Sequence, residues 1–314
     1  MSKLGDKIEN ALNEDRILLL GGQVLLGFAY RPYFESAFDQ LSFEAKVAQT
    51  AVVVVMTLVI VWLMWPAPFH QLIEGGDNTQ RIHRFTTLVL DWSLLPFAIG
   101  LALSCYVIAS FMHISHANLI GFGMAVFSLA WWYILPFANH EKSKHAAVDV
   151  ELKAEEAEQK NQGGTEIKEK IKKLLIECRM VLPGVQALLG FQLITFFMQG
   201  FSYLPQASKW IHCAGLLATA VATVLVITPA AYHRIAEAGE DTEDFHRTGT
   251  RLLLISMVFL GIGLFADFVV VMHKMGLALR SSLVIGIALL IGSYALWFVL
   301  PVLRRKDLSH SRSK

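Results

Sequence analysis

Stretches without a single Asp, Glu, Lys or Arg recur along this chain, each bounded by polar segments: 17–30, 48–69, 117–137, 180–201, 211–232 and 281–302. A helix of about 20 such residues crosses a hydrocarbon layer roughly 30 Å thick. Two further runs, about 85–111 and 248–271, are nearly as apolar and carry the acids Asp91 and Asp267. The pattern predicts an all-α integral membrane protein with eight transmembrane helices.

The pattern also repeats. Pro66, His70, Glu74 and Gly76 return as Pro229, His233, Glu237 and Gly239, at a constant spacing of 163 residues (70 to 233). Gly21, Gln23 and Gly27 in the first span match Gly184, Gln186 and Gly190, a spacing of small residues that lets helices approach closely in lipid. Trp132 to Pro136 matches Trp297 to Pro301 at an offset of 165, so a short insertion precedes the last span. The chain reads as two four-helix repeats, 1–137 and 165–303, joined by a charged linker, 138–164, and followed by a basic tail, 304–314. An even number of spans per repeat gives both copies the same orientation, making them parallel rather than inverted.

Composition agrees with this and removes some functions. The chain is 54% hydrophobic and 17% charged with a net charge of +1, which offers nothing to a nucleic acid. Only five of the 27 Lys and Arg (Arg31, Lys46, Lys209, Lys274 and Arg280) fall on the side away from the N-terminus. That bias predicts an inner-membrane protein with both termini in the cytoplasm. The mixed charges before the first span, and no small-residue cleavage site after it, predict that the first helix is retained. Three scattered cysteines suggest apolar packing, not a disulfide or metal site. No hydrolase motif or phosphate loop is present, so neither a catalytic residue nor a cofactor or metal ligand is expected.

The repeated polar residues are the candidates for chemistry. Glu14, Arg16, His70, Glu74, His83 and Arg84 match Glu177, Arg179, His233, Glu237, His246 and Arg247, all near the N-terminal-side ends of helices. Gln23 and Gln186 lie seven residues deeper, about 10 Å along a helix. Together they outline a polar vestibule in which histidines, titrating near neutrality, would handle protons or gate with pH. Arg16 and Arg179 are expected to meet Glu74 and Glu237 or a carbonyl. Asp91 and Asp267 break the repeat, standing opposite Leu254 and Ser104. An acid inside a span is a functional candidate by default, so Asp91 joins the pathway. Asp267 is expected to snorkel outward or to pair with Lys274.

Glu177, Arg179, Pro183 to Phe191, Pro229 to Arg234 and Phe245 to Arg247 resemble a bacterial family of small four-span membrane proteins of unknown function. The likeness covers about 165–303 and, more weakly, 5–137. The first copy departs from it in having Gln71 in place of the arginine after the histidine and Gly22 in place of the valine before the glutamine. The resemblance implies fold and membrane location. Three functions remain in view: a transporter or channel for a small ion or proton, a non-transporting scaffold or sensor docking a partner or a second copy, and a haem protein using two histidines.

Overall fold

The computed structural model describes residues 3–134, 166–235 and 242–304; the linker, most of the tail and Glu237 lie outside them. The first repeat comprises α1 (Lys3–Tyr30), α2 (Phe43–Leu63), α3 (Pro66–Leu72), α4 (Gln80–Phe111) and α5 (Ala117–Leu129). The second comprises α6 (Ile167–Thr195), the short α7 (Gln199–Ser202), α8 (Gln206–Ile235), α9 (Glu243–Lys274) and α10 (Leu279–Tyr294). Among the described residues, eight helical segments are long and apolar enough to cross a membrane, four from each repeat. The protein is a multi-pass helical membrane protein.

Local sequence explains where the copies agree. Thr79 and Thr242, equivalent positions, each cap the following helix by accepting from the backbone N–H three residues on, Ile82 at 3.3 Å and Phe245 at 3.1 Å. At the far ends, Lys46 and Lys209 donate to the carbonyls of Asp39 and Ser202, and each ammonium lies over a ring, Phe38 or Phe201. Both repeats close in a π-helical turn, Ala130–Ile134 and Ala295–Val299.

The copies differ at the proline stretch. In the first, the span breaks after α2 and restarts as α3 with Pro66 in its first turn. Pro66 and Pro68 both lack the N–H that would bond the carbonyl four residues earlier, whereas α8 has only Pro229 and runs on through it.

The repeats meet along α1 and α6, which lie side by side in the same direction. Near one end the equivalent residues Glu9 and Lys172 form an ion pair at 2.7 Å. Midway, the Gln23 amide fills the space that a side chain at Gly184 would occupy. At the far end Tyr30 stacks on Phe191 at 5.3 Å. On one flank the seam is closed: α2 packs on α9, and the buried Trp297 donates its indole N–H to the Val61 carbonyl at 2.8 Å. Among the described residues no comparable packing joins α4 to α8, the equivalent pair on the other flank. The last spans, α5 and α10, are peripheral and mostly exposed.

Candidate functional site

The first polar centre ties the repeats together near the N-terminal side. After the break before α3, His70 and Gln71 face Glu177 on α6. His70 Nδ1 lies 2.5 Å from Glu177 Oε1, and the Gln71 amide donates to Glu177 Oε2 at 2.7 Å. Thr250, on α9, donates to the Gln71 side-chain oxygen, Oε1, at 2.9 Å. The other ring nitrogen of His70 faces the Asp77 carbonyl at 3.2 Å. His70 and Glu177 are both fully buried. Around this centre, Asn78 donates to Glu169 and Lys170 pairs with Asp77, so hairpin and α6 are joined again at the rim.

The second centre uses the same wiring at the opposite depth. His212 Nδ1 lies 2.8 Å from Asp267 Oδ1, and the Gln192 amide donates to Asp267 Oδ2 at 2.7 Å. His212 Nε2 faces the Gln192 carbonyl at 3.1 Å. All three side chains are buried, and rings of Phe34, Phe196 and Phe201 stand within 5.1–6.0 Å of the imidazole. Glu177 and Gln192 are fifteen residues apart on α6, so the two centres are separated by roughly 22 Å along that helix.

Both centres share one consequence of bonding. A backbone carbonyl only accepts, so Nε2 of each histidine must carry a proton. Nδ1 and the facing carboxylate oxygen then hold one proton between them. With it, the pair is neutral overall, whichever atom carries it. Without it, two lone pairs face each other and a net negative charge is buried.

Between the centres lie Gln23, with its amide oxygen unbonded, and the neighbouring hydroxyls of Tyr30 and Thr57, which form no well-shaped hydrogen bond. A cavity of about 10 Å³ beside Gln23, lined also by Ile60, Leu188 and Leu260, is at the lower limit for one water. It shares no lining residue with the cleft that contains His233.

The sequence candidates therefore separate. His70, Glu177 and Gln23 lie in the seam between repeats. Gln186, the repeat of Gln23, faces outward on α6, and Glu14, Arg84, Arg179 and Arg247 are exposed. Arg16 and His83 are half-buried; His246 is too, its Nε2 close against Gly76. His233 tilts against Phe245 at 4.7 Å. A single vestibule holding all of them is not what forms, because α1 and α6 present different faces to the seam. Glu74 pairs with Arg81 at 3.7 Å, and among the described residues neither Arg16 nor Arg179 meets a carboxylate. Asp91 is exposed on α4, with its backbone carbonyl accepting from Tyr133.

Asp267 is the clearest correction. It neither snorkels nor pairs with Lys274, which lies 3.9 Å from Asp39 instead. It turns inward because His212 and Gln192 supply donors to both its oxygens. Those two residues were missed by looking for matches between copies: their counterparts are Gln49 and Ala29. Gln49 keeps half of the arrangement, donating to the Ala29 carbonyl at 2.7 Å as His212 does to Gln192. Three departures at contacting positions were the available signal. Asp15 is a further one, buried with neither oxygen bonded where the second copy has Cys178. The haem reading loses its anchor, since His70 uses both ring nitrogens within the protein.

Comparison with known proteins adds the family and no activity. No curated protein and no solved structure matches the chain. The model of one family of unknown function matches twice, over residues 2–136 and 164–301. Each match covers one four-helix repeat, so the chain belongs to that family, DUF6328, as a tandem pair.

Proposed function

We propose that the protein is a proton-coupled membrane transporter whose seam between repeats opens and closes with the proton shared by His70 and Glu177. The observation that carries this is the pair of buried histidine–carboxylate–glutamine centres at opposite depths, each with one ring nitrogen held by a backbone carbonyl. Losing the shared proton leaves lone pair against lone pair and a charge at a depth where charge costs several kcal/mol. The contact must then part. At the first centre that contact joins the repeats, so deprotonation loosens the seam as pH rises. The second centre, within the second repeat and walled by aromatic rings, supplies a proton site toward the far side.

A second reading is a pH sensor that does not transport. It is favoured by the tight seam, where the cavity beside Gln23 holds only about 10 Å³. Proton flux into liposomes carrying an internal pH dye separates the two. Transport requires flux with wild type that Glu177→Gln and Asp267→Asn each abolish. A sensor shows no flux but a pH-dependent change in tryptophan emission that Glu177→Gln removes. Neither response in the wild-type protein overturns both.

A further inference from the structure

The second repeat carries a cleft between α6 and α8 of about 440 Å³, walled by Leu175, Leu182, Val226 and Ile227, with Arg179 and His233 as its polar lining. The equivalent surface of the first repeat is Leu12, Leu19, Leu63 and Met64, with Arg16 and His70. There the four apolar residues and His70 are fully buried, covered by the second repeat. What covers them is chemically specific: a carboxylate, Glu177, meets His70, while Ile176, Met180 and Trp297 supply the apolar backing. The surface is thus one that takes an anion on a greasy support. In the second repeat it is open, because among the described residues α4 does not pack on α8 as α2 packs on α9.

We propose that this cleft binds an anionic phospholipid from the leaflet on the N-terminal side. The phosphate would meet Arg179, which is exposed there and has no carboxylate partner among the described residues. An arginine at that level needs an anion or water, and a guanidinium matches phosphate geometry. The upper acyl chain would pass Leu182, three residues (about 4.5 Å) deeper along α6 than Arg179, against Val226 and Ile227. Charge selects the headgroup, and the apolar walls select a lipid over a free anion.

Native mass spectrometry of the full chain released from detergent tests this. With added phosphatidylglycerol, one bound lipid is expected on the wild type, and far less with phosphatidylcholine. Arg179→Gln should lower that occupancy about tenfold, the loss of one charge-assisted contact, while Arg247→Gln, at another exposed arginine, leaves it unchanged. Ala230→Trp, filling the cleft from its rim, should also displace the lipid while leaving the arginine in place. Equal binding of both lipids, or full occupancy in Arg179→Gln, overturns the proposal. So does displacement by glycerol phosphate alone, which would make it a soluble-anion site. A chain dimer in place of the lipid adduct, lost in Ala230→Trp, would assign the cleft to a second copy and overturn it as well.

Discussion

Replacing Glu177 in two ways separates a shared-proton pair from a charged lock. In Glu177→Gln, the new amide N–H can donate to His70 Nδ1, and the remaining carbonyl oxygen can accept from Gln71. Both bonds of the centre are then kept, so stability should stay within about 1 kcal/mol of wild type. Glu177→Ala instead leaves His70 Nδ1 and the Gln71 side-chain N–H without partners, in a buried site. Two orphaned groups and a lost anchor between repeats should cost about 3–5 kcal/mol. At roughly 2–4 °C per kcal/mol, that lowers the melting temperature by roughly 6–20 °C. Thermal unfolding of the protein in detergent, followed by tryptophan emission, reads both variants. If Glu177→Gln falls as far as Glu177→Ala, the negative charge itself holds the repeats together, and the reasoning from a shared proton fails.

Other outcomes follow from named contacts. A Cβ at Gly200 would stand 2.3 Å from the Phe34 carbonyl oxygen, so Gly200→Ala should destabilise by about 1–3 kcal/mol; Gly190→Ala, with open space around it, should be neutral or mildly stabilising in the same unfolding assay. Trp297→Phe removes the bond to Val61, about 1 kcal/mol, and should shift the mean tryptophan emission to the red, since a fully buried indole is lost. The triple change His212→Gln, Gln192→Ala and Asp267→Ser rebuilds the first repeat's own residues at the far centre. It should fold as stably as wild type yet lose proton flux, while His212→Gln alone should be less stable, because Asp267 keeps only one donor.

The architecture was legible because its causes are local and repeated. Apolar runs of membrane length appear eight times, six of them free of charge, and the threonine caps at 79 and 242 and the lysine ties at 46 and 209 recur at the same spacing. The sites were only half legible. His70 and Glu177 were both visible as repeated polar residues, but their pairing was not. Both were expected in one vestibule with all the repeated polar residues, whereas the bond singles out this pair and crosses from one repeat to the other. Gln23 and Gln186 show why repetition misleads. The same residue is buried over Gly184 in one copy and exposed in the other, because only one flank of the seam is closed. The far centre was invisible to a search for matches, since all three members, Gln192, His212 and Asp267, are places where the copies differ. An isolated inward acid on a span needs donors, and asking which other unmatched polar residues could supply them would have pointed to His212.

Infrared difference spectra between high and low pH address the shared proton most directly. Because imidazole and carboxyl hold one proton between them, their bands should change together, as a single transition at each centre. Glu177→Gln should remove one carboxyl signal along with the ring signal of His70, and Asp267→Asn the other along with that of His212. A ring band that changes independently of its carboxyl, or spectra that are the same in the wild type and in Glu177→Gln combined with Asp267→Asn, would contradict the account.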